Sequence, residues 1–254
     1  MSEEMRADEP LLELTDIEAG YGRAALVLRG LSVTVPAGSV VCLVGPNGAG
    51  KSTVLKVASG ILAPRSGTVR VDGQDVTGWS SQRLLGAGLA HVLQGHSVFP
   101  EMTVAENVTL GAYTLADKER VAERVAFVQG LFPVVRERWR SLAGLLSGGQ
   151  QKQVEFARSL MVNPKVLLLD EPSMGLDPKA TAVVFEQVVA MREAGLAILL
   201  VEQNARRALE TADLGCVLDL GRVHISGPAP ELLADPQLAE LYLGGRPTVS
   251  REGR

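Results

Sequence analysis

Two textures of hydrophobic patterning alternate along this chain. Residues 11 to 35 carry short β-type stretches, Leu11 to Ile17 and Leu31 to Val35, separated by Gly20, Gly22 and Gly30. Ser39 to Val44 is a nearly continuous apolar run, the mark of a strand buried on both faces. It leads into a Gly-rich loop, Gly45 to Gly50, and then into a helical stretch, Lys51 to Ser59, stopped at Gly60. Thr68 to Val71 predicts a strand turned by Asp72-Gly73, and Leu89 to Leu93 predicts another.

Between roughly 100 and 145 helical spacing takes over. Val121, Val125, Val128 and Phe132 recur at steps of four, three and four, which makes one apolar helix face, with Glu119, Arg120, Glu123 and Arg124 on the other. After residue 146 the β/α alternation returns. It predicts a helix from Gln150 to Met161, a strand from Val166 to Asp170, a helix from Thr181 to Glu193 and a strand from Leu196 to Glu202. A hairpin over 216–227 and a helix from Glu231 to Leu243 close the pattern. Strands alternating with helices imply an α/β fold with a mostly parallel central sheet. The polar residues 1–10 read as a flexible N-terminus and 244–254 as a frayed tail.

Composition narrows the class. At 254 residues, 46% hydrophobic and 21% charged, the chain can bury a full core, which excludes disordered and fibrous classes. A net charge of -4 argues against nucleic acid as a partner. No apolar run approaches the ~18–20 residues of a membrane span. The acidic N-terminus lacks the apolar segment of a secretory signal. Cys42 and Cys216 each sit in an apolar run and read as small buried hydrophobes.

The loop Gly45-Pro46-Asn47-Gly48-Ala49-Gly50-Lys51-Ser52 fits GxxxxGK(S/T), between a predicted strand and a predicted helix. Glycines let successive N–H groups curl around phosphate oxygens, and the helix N-terminus adds partial positive charge. Lys51 supplies a point charge for the β- and γ-phosphates, Ser52 a hydroxyl for Mg²⁺ and Thr53 a further phosphate contact. The apolar run Val166 to Leu169 ends in Asp170 and Glu171. In a parallel sheet such strand ends face the ligand crevice. Asp170 is therefore placed to hold Mg²⁺, and Glu171 to orient and deprotonate the attacking water.

A second glycine motif, Leu146-Ser147-Gly148-Gly149-Gln150, also heads a predicted helix. One nucleotide does not need two phosphate sites on one chain. The motif is the signature of the ABC ATPases, and residues 11–243 resemble that family. The resemblance implies an antiparallel β region joined to the P-loop core (11–94 and 161–243) and an inserted helical subdomain (95–160). It implies that Tyr21 stacks on adenine, that Gln94 touches Mg²⁺ or water, and that Ser173 to Asp177 form the D-loop. It also resolves the surplus motif. Two such chains meet head to tail, and Ser147, Gly148, Gly149, Gln150 and Asp177 of one complete the ATP site on the P-loop of the other.

The C-terminal third is similar to the ATPases of branched-chain amino-acid importers. The run Ile198 to Arg206 places Gln203 where most of the family has a histidine. None of His91, His96 and His224 falls there, and a neutral amide cannot gain charge near pH 7. Gln150 and Asp177 depart from that subgroup toward the forms commoner across the whole family. The resemblance implies an ATP-hydrolysing subunit at the cytoplasmic face of a membrane. Its partners would be a second ATPase chain (a heterodimer expected, a homodimer possible), two permease subunits and, indirectly, a solute-binding protein. Import of urea, amides or another polar amino acid, and a soluble non-transport ATPase, are the alternatives. His91 and His96 read as incidental, Trp79 and Trp139 as packing residues. The apolar segment of Phe99, Met102 and Val108 reads either as a permease-docking patch or as packing on its own domain.

Overall fold

The computed structural model describes residues 10–22, 25–95, 97–236 and 238. The elements run β1 (Leu12–Ala19), β2 (Leu28–Val35), β3 (Val40–Val44), α1 (Lys51–Ala58), β4 (Ser66–Val71), β5 (Gln74–Asp75), α2 (Ser81–Gly86) and β6 (Leu89–Val92). Four helices follow: α3 (Val104–Thr109), α4 (Lys118–Leu131), α5 (Pro133–Glu137) and α6 (Gly148–Leu160). The chain then forms β7 (Val166–Asp170), α7 (Pro178–Glu193), β8 (Ala197–Val201), α8 (Ala205–Thr211), β9 (Leu214–Asp219), β10 (Arg222–Pro228) and α9 (Ala229–Ala234).

Two sheets result. β2-β1-β4-β5 is antiparallel, and β10-β9-β3-β8-β7-β6 is parallel except for its β10 edge. β3, β7 and β8 are buried at every position, as their unbroken apolar runs require. Alternate residues on these strands feed separate cores. Cys42, Leu167, Leu169 and Leu200 join the side holding α6 and α7; Leu43, Leu168, Leu199 and Val201 join the side holding α1 and the antiparallel sheet. Each of these leucines is fully buried, so truncation to alanine costs about 2–5 kcal/mol. Cys42 and Cys216 are buried on opposite sides, and burial pushes both thiols up.

The apolar face of α4 lies as its spacing predicts, with Val128 and Phe132 fully buried and Val121 and Val125 packed against the same core. Helix starts differ from the sequence reading. α6 opens at Gly148 because Ser147 and Gln150 make a capping box, and α7 opens at Pro178 because the Asp177 side chain caps Lys179 and Ala180. The expected helix over 231–243 begins two residues earlier, and most of 235–243 lies outside the described residues. Residues 1–9, the tail 244–254 and His96 also lie outside them. Val104 and Val108 are buried in their own domain's core, whereas Phe99 is half exposed beneath the Arg158 guanidinium. Trp79 stacks under Arg83, and Trp139 packs on the larger core.

Candidate nucleotide site

The loop between β3 and α1 is built by backbone geometry that side chains resist. Gly45 has φ +151°, and a Cβ there would lie 2.1 Å from the Leu218 carbonyl oxygen. The hairpin of β9 and β10 therefore forms one wall of the loop. Gly221 N–H donates to the Ala49 carbonyl at 2.9 Å and tightens the same contact. The buried Lys51 Nζ donates to the carbonyls of Gly45 (2.8 Å) and Pro46 (3.1 Å), which holds the ammonium under the loop. A concavity of about 340 Å³ opens above it, walled by Asn47, Gly48, Lys51, Ser52, Thr53 and Glu171.

The carboxylates arrive from β7, two strands away in the same sheet. Asp170 is almost fully buried and accepts a hydrogen bond from Ser52 Oγ at 3.3 Å. Burial raises its pKa, the negative charge of Glu171 adds to the rise, and the Ser52 hydrogen bond with Lys56 and Lys51 opposes it. Lys51 is lowered by burial and pulled back by Glu171 and Asp170. Glu171 follows in a left-handed conformation, φ +45°, with its N–H on the Val201 carbonyl at 2.9 Å. That turn swings its side chain out of the strand's alternation to the concavity wall. Gln94, just beyond β6, donates its amide to Glu171 Oε2 at 2.9 Å.

Tyr21 stands beside the same helix, its hydroxyl 3.4 Å from Thr53 Oγ1 and 3.3 Å from Lys56 Nζ, and its ring is about half exposed. The Thr53 hydrogen bond, with help from Lys56, lowers its pKa. The fold thus gathers Tyr21, the loop from Gly45 to Thr53, Gln94, Asp170 and Glu171 at one end of the parallel sheet. Gln203 is exposed in the turn after β8, with its N–H on the Glu202 carboxylate at 3.2 Å.

Ser147, Gly149, Gln150 and Asp177 line a different concavity of about 430 Å³, between α6 and α7. Ser147 Oγ accepts from Gln150 N–H at 3.4 Å, and Gln150 Oε1 accepts from Ser147 N–H at 3.1 Å. Gly149 packs so closely on α7 that a Cβ would meet the Ala180 methyl at 2.9 Å. The second glycine motif therefore has a packing reason of its own, and within this chain it does not share a concavity with the first.

Sequence reasoning missed Glu202. It is buried at the end of β8, its Oε1 accepts Ser173 N–H at 2.9 Å, and burial raises its pKa. It holds the loop that follows Glu171. Asn107 was missed too. It is fully buried and bonds both the N–H and the carbonyl of Phe99, fixing the loop beyond Gln94. Nothing in local pattern separates these polar residues from their neighbours.

The ABC transporter family model matches residues 28–174. A high-affinity branched-chain amino acid transport ATP-binding protein, BraG of Pseudomonas aeruginosa, is 38% identical over 92% of this chain and 100% of its own length. A probable branched-chain amino acid transport ATP-binding protein, LivF of Archaeoglobus fulgidus, is 37% identical over 92% and 99%. A crystal structure of an ATP-binding cassette of an ABC transporter, in its ADP conformation, superposes with a TM-score of 0.83 at 29% identity, covering 93% of this chain and all of that one.

Proposed function

This chain belongs to the ABC transporter family as an ATP-hydrolysing subunit, and from that premise we propose that it powers import of branched-chain amino acids through separate permeases. The observation that carries the ATPase reading is that Ser52 and Glu171 wall one concavity at the P-loop, with Asp170 hydrogen-bonded to Ser52 and Gln94 to Glu171. The substrate reading rests on the names of the two bacterial and archaeal relatives, which align along nearly their whole length.

Each residue takes a role from its position. Lys51 trades its loop carbonyls for β- and γ-phosphate oxygens, with the loop amides around them. Tyr21 offers its half-exposed ring to adenine and Thr53 a further phosphate contact. Ser52, Asp170 and Gln94 offer a hydroxyl, a carboxylate and an amide oxygen, the hard donors that Mg²⁺ takes. The buried Asp170 gains most from a cation, because burial and Glu171 both disfavour its charge. Mg²⁺ when bound neutralises charge developing on the phosphates. Glu171 takes the proton of the attacking water, steered by Gln94, while Gln203 meets the γ-phosphate as a neutral amide.

Because Ser147 and Asp177 line another concavity, a second chain is needed to bring its own serine-glycine turn over this P-loop. A heterodimer with a related ATPase is the proposed assembly, with the helical unit over 95–160 seated on two permease subunits. Among the described residues no helix is long and apolar enough to cross a membrane, so attachment to the cytoplasmic face falls to the permeases. The half-exposed Phe99 and the largely exposed Tyr113, which lines a groove with His91 and Leu85, suit that contact.

Reconstitution tests the substrate. In proteoliposomes carrying the permeases and both ATPase chains, leucine-loaded binding protein is expected to raise phosphate release and drive leucine uptake. Stimulation by urea or a polar amino acid, with none by leucine, isoleucine or valine, replaces the branched-chain reading with the alternative importer.

A further inference from the structure

The helix that opens on Ser147 carries three charged residues at three-residue steps, Lys152, Glu155 and Arg158, and all three reach one neighbouring loop. Lys152 Nζ donates to the Gly95 carbonyl at 2.7 Å and to Glu155 Oε2 at 2.5 Å. Glu155 Oε1 accepts the Ser97 N–H at 2.5 Å. Arg158 holds the same residue from the other side, with Nη1 on the Ser97 carbonyl at 2.8 Å and Nη2 on its hydroxyl at 2.5 Å. The lysine and glutamate side chains are only 3% and 1% exposed.

Two buried charges are a poor device for stability, since apolar residues of the same volume serve that purpose as well or better. What the pair does supply is a single arrangement. Each partner satisfies the other and spends its remaining capacity on backbone groups of one loop. That loop begins with Gln94, whose amide holds Glu171 at 2.9 Å. The path from the Ser147 turn to Glu171 is thus continuous: α6, the buried pair, the Gly95 and Ser97 backbone, Gln94, then the carboxylate. The two ends of this path lie in different concavities.

We infer that Lys152 and Glu155 are positioning residues for hydrolysis: they fasten the Gln94 loop to α6, so that a displacement of this helix moves the amide that aims Glu171. The inference rests on Glu171 being the base. It makes each chain's own hydrolysis answer to what its Ser147 turn is touching, which in a head-to-tail pair is the other nucleotide.

The test replaces the pair without leaving a lone buried charge, as Lys152→Met/Glu155→Leu, in the wild type and in Gln94→Ala. In the chain without nucleotide, amide hydrogen exchange at Ser97 is expected to speed at least tenfold, with β6 and α6 unchanged. ATP affinity by calorimetry should stay within threefold while kcat falls at least tenfold. On the Gln94→Ala background the same replacement should lower kcat less than twofold, because the amide it positions is already gone. Equal losses on both backgrounds, an unchanged Ser97 exchange rate, or an unchanged kcat overturns the inference. Should the double variant not fold, Lys152→Gln/Glu155→Met, which likewise leaves no charge behind and removes the acceptor of the Ser97 N–H, enters the same cycle with the same criteria. Wild-type turnover in Glu171→Gln would instead sink the base assignment, and the exchange result would still report whether the loop is fastened.

Discussion

On the proposed assignment Glu171 carries two burdens, one chemical and one conformational, and two substitutions separate them. Glutamine keeps the volume and, through its amide oxygen, keeps the contact from Gln94 at 2.9 Å, so only the charge and basicity are lost. A positioned base contributes about 10²–10⁴-fold, so turnover should fall by that factor, about 2.7–5.5 kcal/mol in the barrier. ATP affinity should change less than about threefold, since Lys51 and the loop are untouched, and ATP-bound pairs should persist in size-exclusion chromatography. Glycine addresses the other burden. A left-handed residue with a side chain costs about 1–2 kcal/mol, and glycine's freedom in the unfolded chain takes back about 0.5–1 kcal/mol. With φ +45° at this position, Glu171→Gly should gain about 0.5–1 kcal/mol, a rise of about 1–4 °C in Tm for a domain of this size. Phosphate release and differential scanning calorimetry measure the two effects. A glutamine variant within tenfold of wild-type turnover, or a glycine variant more than 1 kcal/mol less stable, refutes the corresponding half of the reasoning.

Three further outcomes follow from the geometry. Gly45→Ala drives a methyl into the Leu218 carbonyl at a backbone angle that only glycine accepts. It should cost about 3 kcal/mol and lower Tm by about 6–12 °C, and an unchanged melting curve contradicts the packing described. The Leu220-Gly221 turn has the same two-residue form as Asp72-Gly73, with both residues left-handed, but leucine is a poor occupant of that region. Leu220→Asn should therefore stabilise by about 0.5–1 kcal/mol in chemical denaturation. His91 is partly buried, with both ring nitrogens shut off from solvent and neither hydrogen-bonded, and this burial lowers its pKa from 6.5 to about 4. Its contribution is complete above pH 6.5 and is lost as pH falls toward 4, because the unfolded chain binds the proton first. About 3 kcal/mol of acid sensitivity follows, and His91→Leu should flatten stability across that window in urea titrations at stepped pH.

Much of the architecture was legible because its strands are buried on both faces. A run such as Val166 to Leu169 has no polar position to misplace, and glycine or carboxylate punctuation marks both ends. The position of the glycine loop between β3 and α1, closing on Lys51, was legible from its glycine spacing alone. Helix starts were partly readable and were overlooked. Asp177-Pro178 is an N-cap followed by proline, and Thr103 with Glu106 makes a capping box that starts α3. Tertiary partnerships were not readable. Lys152 and Glu155 look like any solvated pair on a helix, and only the approach of Gly95 and Ser97 from far along the chain explains their burial. Gly149 illustrates a doubled signal, because its closeness to Ala180 would favour glycine even without a nucleotide.

The central sheet also acts as a partition. Odd and even positions of the same strands answer to different neighbours, the P-loop helix on one side and the α6–α7 layer on the other. Side chains facing the α6–α7 layer can therefore be repacked without altering those that pack on the P-loop helix, so that exchange between the two sides is confined to loops such as the one Lys152 and Glu155 hold.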